Sequence, residues 1–466
     1  MAHRAGIAVW AIVAVTLAGC GALPLGLSKG QGDKAGGQNE SSSSPISHIV
    51  LIVQENRSFD NFFATYPGAD GTMTGKMKNK TIKLREASLD QMCDFGHSRN
   101  DFLHAYDHGK MNGFYLESQT TGCPKRAGAA PYEYVNPQQI APYWDIAEQY
   151  VLADHMFQTQ GSGSFTAHQD LIRGGTTIDQ AQTESIVDVP DGEPWGCDAS
   201  PGTLTSYLSG KPGHLEYRFK KGPFPCTSDF PASGSYYATL RDLLDAQSVS
   251  WKYYVPPLTE RQSGNLWNAF DVIAPVRYGK EWNDNVSMPE TNIFNDISGG
   301  TLASMSWVIP DLKDSDHPSN GSDTGPSWVA SLVNAIGESS YWQTTAIVIV
   351  WDDWGGFYDH VPPPFLDDWG GLGFRVPMLV VSPYARETSS QPGYIAHTSY
   401  EFGSILKFIE GTWSLGSLGT TDQRATSIAN CFDFTQQPRK FSAIPSLYSR
   451  AYFERRKPSY QPVDTQ

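Results

Sequence analysis

Short unbroken apolar runs recur along the chain, separated by longer stretches in which apolar residues return every three or four positions. The runs are 49–53 (IVLIV), 249–255 (VSWKYYV), 304–309 (SMSWVI), 346–350 (AIVIV) and 376–382 (VPMLVVS). Apolar residues fill consecutive rather than alternate positions, so each run predicts a strand buried on both faces. The stretches 235–247 (SYYATLRDLLDAQ), 326–336 (PSWVASLVNAI) and 399–410 (SYEFGSILKFIE) follow the 3.6-residue period of an amphipathic helix. Strands of this kind alternating with helices predict an α/β fold, a mostly parallel sheet with helices on both faces.

The intervals 64–135 and 176–234 break this pattern. Rich in Gly, Pro, Asp and Cys and poor in periodicity, they read as loop insertions in a single domain spanning 47–466. Before that domain, residues 21–46 contain GQGDKAGGQNESSSSP and read as a flexible tether. The first twenty residues combine a basic start, an apolar run from Ile7 to Leu17 and the tetrapeptide Leu17-Ala18-Gly19-Cys20. That is the form of a bacterial lipoprotein signal, cleaved before Cys20 so that its thiol takes lipid. The expectation is therefore export, with a lipid anchor holding the protein to a membrane surface of the cell envelope or periplasm, or secretion.

Composition narrows the function. At 466 residues and 39% hydrophobic the chain has ample material for a large core. The formal charge of −15 repels polyanions and argues against nucleic acid as a partner, while leaving room for a small phosphate ester at a cation. Beyond Cys20 there are Cys93, Cys123, Cys197, Cys226 and Cys431. Their order suggests Cys93–Cys123 and Cys197–Cys226 bridges with Cys431 left over, and no C-x-x-C pair is present to suggest a thiolate metal centre. The sequence Gly26-Leu27-Ser28-Lys29-Gly30 has the G-x-S-x-G spacing of esterases, but no strand precedes it and no helix follows.

In open α/β sheets reactive groups collect beyond the carboxyl ends of the strands. Here the run 49–53 leads into Gln54-Glu55-Asn56, the run 304–309 toward Asp316-His317, and the run 346–350 into Trp351-Asp352-Asp353. Glu55, Asn56, Asp352 and Asp353 offer three carboxylates and an amide oxygen, which repel one another unless a cation lies among them. All-oxygen donors suit one hard divalent ion, Mg, Ca or Mn, with Zn as a further candidate. An acidic pair such as Asp352-Asp353 more commonly caps a helix or faces solvent; its pairing with Glu55-Asn56 at a second strand end favours the ion.

The stretch Gly161-Ser162-Gly163-Ser164-Phe165-Thr166-Ala167-His168 precedes an apolar segment and predicts a tight turn opening a helix, whose N-terminus favours a bound anion. Ser164 is then a candidate nucleophile, with Ser162 and Thr166 as rivals. His317, after a strand, and His97, in a polar loop, are candidates for binding phosphate oxygens or moving protons. Histidines elsewhere in the folded region, His168 and His360 among them, have a hydrogen-bonded structural role as their commoner fate.

The segments ENRSFDNFF, HSRNDFLHAYDHGKMNGFY, GSFTAHQDLI, DSDHP, WDDWGGFYDHVPPP, RVPMLVVSPYA and SYEFGSILKFIEGTW occur in one order between about residues 46 and 413. In that order they resemble the bacterial phosphoesterase family of phosphatidylcholine-type phospholipases C and acid phosphatases, whose fold is similar to alkaline phosphatase. The resemblance implies metal ligation by Glu55, Asn56, Asp352 and Asp353, a hydroxyl nucleophile at Ser164, and phosphate contacts from His97 and His317. His360 also matches a family position, where a structural role is expected. Two departures stand out. Many relatives carry Asp-Glu where this chain has Asp352-Asp353, and Pro-Asn where it has Thr166-Ala167. Sulfatases are disfavoured, because the sequence after Ser164 lacks the Pro and Arg they require. The expected activity is metal-dependent phosphoric ester hydrolysis through a phosphoseryl intermediate, with a phospholipid or other phosphodiester as substrate. Acid phosphatase action on soluble monoesters, or a non-catalytic surface lipoprotein binding a phosphorylated ligand, are the alternatives.

Overall fold

Residues 44–459 are described by a computed structural model, apart from 120–127, 180–182, 192–193, 212–213, 222–225, 227–236, 259–265, 365–370 and 391. The expected signal and lipidation site at Cys20, the tether up to residue 43, and Cys123 lie outside the described residues. The chain from Ser44 onward forms one unit around an eight-stranded sheet. Its strands are β1 (His48–Gln54), β2 (Val151–Ala153), β3 (Trp251–Tyr254), β4 (Val286–Ser287), β5 (Met305–Val308), β6 (Thr345–Trp351), β7 (Met378–Val381) and β8 (Tyr394–Ala396). They are ordered β4-β3-β5-β1-β6-β7-β2-β8. All neighbours are parallel except at β7, which runs against both β6 and β2. The five apolar runs are thus five of the eight strands, and the sheet is mostly parallel as expected.

The register assigns the sheet its two faces. Leu51 of β1 pairs with Trp307 of β5, while Gln54 pairs with Trp351 of β6. Successive strand residues point to opposite faces, so Trp307 and Trp351 lie on opposite sides. Helix α1 (Phe59–Phe63) follows β1 directly, and four longer helices flank the sheet: α2 (Ala141–Gln149), α3 (Ser164–Arg173), α4 (Gly325–Gly337) and α5 (Phe402–Trp413). Tyr143 of α2 packs edge-on against Trp351, with ring centroids 4.8 Å apart, and α4 packs on α2. On the other side the Trp307 indole N–H reaches the Leu171 carbonyl of α3, and α5 packs on α3. Two helix pairs therefore enclose the sheet, and Ile49 to Val53 are fully buried between them.

The intervals read as loop insertions carry local structure. The first holds a hairpin of Thr74–Met77 with Lys80–Lys83, a helix at Arg99–Tyr106 and a short parallel pair of Arg85–Ala87 with Glu133–Val135. The second holds a three-stranded antiparallel sheet of Glu184–Val187, Leu204–Lys211 and His214–Lys221. Cys197 and Cys226 are bridged, with Cα atoms 4.8 Å apart, and Cys431 is free and buried. Cys93 is also disulfide-bonded.

Candidate active site

Because Gln54 and Trp351 are register partners at the ends of adjacent parallel strands, Glu55 and Asp352 leave the sheet side by side. The chain then turns sharply. Asn56 has φ +56°, a left-handed conformation that Asn tolerates better than most residues. Its backbone N–H donates to Asp352 Oδ1 at 2.9 Å, and the same oxygen accepts the Asp353 N–H at 2.7 Å. One carboxylate oxygen thus ties the β1 loop to the β6 loop. Two residues on, Gly355 has φ +59°, and a Cβ there would lie 2.3 Å from the Asn56 carbonyl oxygen. Only glycine fits where the two loops cross.

Glu55 continues the face of Leu51, the face covered by α3. Helix α3 begins at Ser164 after Gly163 and ends against Gly174, whose φ of +74° supplies the left-handed C-cap. Ser164 and His168, four residues apart, share one side of it. The Ser164 hydroxyl donates to Asp353 Oδ2 at 3.0 Å and lies 3.4 Å from Asn56 Oδ1. His168 Nε2 is 2.8 Å from Glu55 Oε1. The rival hydroxyls are engaged elsewhere: Thr166 Oγ1 donates to the Gly163 carbonyl, and Ser162 Oγ accepts the Asp188 N–H.

His97 joins the same cluster. Its Nδ1 lies 2.7 Å from the Phe95 carbonyl, which fixes the proton there, and its Nε2 then accepts from the Asn56 amide at 3.0 Å. That Nε2 is 3.8 Å from Asp353 Oδ2. His317 stands one ring further off, against Trp267 at 6.0 Å, and Trp267 stacks on His168 at 6.3 Å. The structure therefore brings Asn56, His97, Ser164, Asp352 and Asp353 into one hydrogen-bonded cluster, with Glu55 bonded to His168 beside it, and sets His317 on its flank. His360 lies apart, with Nδ1 2.7 Å from Asp60 Oδ2 in a network completed by Asp359 and Arg375.

The electrostatics of this cluster are unfavourable without a cation. Glu55, Asp352 and Asp353 are all fully buried. Burial first, and then the neighbouring Asp352 charge, raises the pKa of both Glu55 and Asp353. Glu55 Oε2 and Asp352 Oδ2 are buried without a hydrogen-bond donor. One ligand atom each from Glu55, His168 and Asp352 lies within 4.8 Å of the others. Burial lowers the His168 pKa to about 4 despite the Asp352 charge, so its imidazole is neutral, the form that ligates metals. Orphaned carboxylate oxygens beside a neutral imidazole are what a divalent ion would complete, and the residues present fit one. In the sequence His168 reads as one histidine among several; the signal that marks it is its spacing of one helical turn from Ser164.

The profile of the Phosphoesterase family matches residues 46–416. A non-hemolytic phospholipase C of Burkholderia pseudomallei is 24% identical over 90% of this chain, which spans 63% of that relative's length. Phospholipase C B of Mycobacterium tuberculosis is 23% identical, covering 86% of this chain and 82% of its own. Among solved structures, a protein of the alkaline phosphatase superfamily from Vibrio parahaemolyticus aligns with 81% of this chain and 70% of its own, at 10% identity and a TM-score of 0.35.

Proposed function

This chain belongs to the Phosphoesterase family, and from that premise we propose that it is a metal-dependent phosphoric ester hydrolase of the phospholipase C type, working through Ser164. The observation that carries the proposal is the Ser164 hydroxyl, held 3.0 Å from Asp353 at the start of a helix and beside carboxylate oxygens that lack donors. A divalent ion held by Glu55, Asn56, Asp352 and Asp353, with His168 beside them, would supply positive charge that acidifies the serine hydroxyl and offsets charge on the phosphoryl oxygens. The nitrogen donor at His168 favours Mn or Zn over Ca among the candidate ions.

Ser164 Oγ attacks phosphorus in line, expelling the alcohol and forming a phosphoserine. Asp353 orients the attacking hydroxyl, and the α3 N-terminus favours the anionic phosphoryl group. His317, and His97 once its Nε2 facing Asn56 and Asp353 takes up a proton, bind phosphoryl oxygens or carry protons to the leaving alcohol. Water then cleaves the phosphoserine, restoring the hydroxyl and releasing the phosphate ester. The phospholipase C names of the relatives support a phosphodiester over a monoester as substrate.

The test is hydrolysis of nitrophenyl-phosphocholine and nitrophenyl-phosphate by wild type and Ser164→Ala, with and without chelator. Loss of a nucleophile costs orders of magnitude in turnover, so the expected result is a fall of roughly a thousandfold or more. Ser164→Ala retaining wild-type turnover refutes the nucleophile, and chelator-resistant turnover refutes the metal. A higher rate on the monoester turns the reading to acid phosphatase. A wild-type protein that binds phosphate esters without turnover is the binding lipoprotein instead. Export and lipidation at Cys20 belong to the same proposal and are checked by palmitate labelling in the producing cell, which Cys20→Ser should abolish.

A further inference from the structure

The hairpin of Thr74–Met77 and Lys80–Lys83 puts Lys76, Lys78, Lys80 and Lys83 within eight residues of a chain whose net charge is −15. All four are exposed. Among the described residues none pairs with an acid; Lys78 Nζ sits over the Tyr115 ring at 4.5 Å, while nearby Lys110 is paired with Asp107. The hairpin is fixed in place. Its inner face, Gly75, Met77 and Ile82, rests on an aromatic floor that includes Tyr132 and Tyr358, and a Cβ at Gly75 would lie 2.5 Å from the Tyr132 ring. The Tyr358 hydroxyl accepts the Lys76 N–H and the Tyr132 hydroxyl donates to the Lys76 carbonyl. Unpaired lysines on an immobile support, in an otherwise acidic protein, make a localised positive field.

Apolar side chains flank that field. Leu103 is 46% exposed and Leu116 is 53% exposed, two of the few large apolar residues left uncovered among the described residues. Both line one groove with Lys78 and Tyr115. Leu103 belongs to the helix Arg99–Tyr106, which starts two residues after His97, and Tyr358 follows Asp353 in the same loop. The basic hairpin and the two leucines are therefore built on the segments that carry the candidate site.

We infer that the hairpin Thr74–Lys83 together with Leu103 and Leu116 is an interfacial face that seats the protein on an anionic phospholipid bilayer. The inference rests on the phospholipid-directed reading above, and commits to a bilayer because charge complementarity and exposed apolar side chains coincide there. A soluble polyanion would use the lysines and leave the leucines idle, whereas a bilayer uses both: headgroup phosphates meet the lysines, and the leucines enter the acyl boundary.

The experiment is co-sedimentation of the full chain, carrying Cys20→Ser to remove the proposed lipid anchor and Ser164→Ala to spare the lipid, with vesicles of phosphatidylcholine alone or mixed with phosphatidylglycerol. Binding should require phosphatidylglycerol and fall with salt. Lys76→Gln/Lys78→Gln/Lys80→Gln/Lys83→Gln should weaken it by several hundredfold, from about fivefold per surface lysine. Leu103→Ser/Leu116→Ser should weaken it several-fold, and dextran sulfate, a soluble polyanion, should compete poorly. Built without Ser164→Ala, both variants should keep wild-type turnover of a soluble nitrophenyl ester, which shows that they fold. Equal binding to both vesicles, binding unaffected by the lysine changes, or binding to dextran sulfate that ignores the leucines each overturns the inference. Vesicle binding by a wild-type chain that hydrolyses no ester leaves this face standing and removes the proposed activity.

Discussion

Replacing Gly355 with alanine should damage catalysis more than stability, and the structure supplies the magnitude. The residue has φ +59°, and a left-handed alanine costs about 1–2 kcal/mol. Its Cβ would also lie 2.3 Å from the Asn56 carbonyl oxygen and 2.9 Å from Asn56 Cβ, whereas ordinary contacts begin near 3.4 Å. Something must therefore move by about 1 Å, and what moves is the turn that carries Glu55 and Asn56 past Asp352. Misplacing a reacting constellation by about 1 Å costs roughly a hundredfold in rate. Gly300→Ala is the matched control: its φ is +71°, and a Cβ there meets nothing within 4 Å. Thermal melting and kcat/KM on a chromogenic phosphate ester, measured for both variants, separate backbone strain from displacement. Both variants should lose Tm through the shared backbone strain, Gly355→Ala the more because of its clash, and Gly355→Ala alone should lose activity by roughly two orders of magnitude. Wild-type activity in Gly355→Ala, or equal losses in the two variants, would refute the claim that this crossing point sets the geometry of the site.

Two further expectations follow from the buried charges. Glu55→Gln removes one of three crowded carboxylates, so it should raise the Tm of chelated protein and shrink the Tm gain on adding Mn or Zn; an unchanged metal-induced gain in the variant would show that Glu55 is not a ligand. At His360, burial alone would lower the ring pKa from 6.5, but the hydrogen bond to Asp60 and the Asp60 and Asp359 charges outweigh it and raise it. A raised folded-state pKa contributes stability that is complete below 6.5 and lost as pH rises through the folded value. His360→Gln should therefore flatten the fall in Tm across that window, and an unchanged slope in the variant would exclude His360 as its source.

Much of this arrangement was legible in the chain because a parallel sheet buried on both faces writes each long strand as a solid apolar run. β1 and β6 are such runs, and their last residues carry Glu55, Asn56, Asp352 and Asp353. Less visible were β2, β4 and β8, which have two or three residues each and too few positions to show any period. The direction of β7 left no local trace, since Met378–Val381 is equally apolar whether it runs with β6 or against it. The strands in 64–135 and 176–234 leave little trace for a different reason: buried residues such as Ile186, Val187, Tyr207 and Leu208 stand among polar ones without forming a long apolar run, and long-range pairing rather than composition defines them. Ser164 was reached through its glycines and the helix they open. His168 needed the added knowledge that α3 turns this side toward Glu55, a tertiary fact that appears only when Leu171 is seen against Trp307.

The pairing of Gln54 with Trp351 fixes more than neighbourhood. Two strands joined along seven residue pairs cannot slide or spread without breaking the centre of the sheet, so the separation of the acids hung from their ends is inherited from the backbone lattice. Recognition of the alcohol to be released is thereby freed from that constraint: the insertion at 176–234, and the parts of 64–135 away from Phe95 and His97, can change length and character around a fixed reaction centre, exchanging one clientele for another while the bond-breaking apparatus stays as it is.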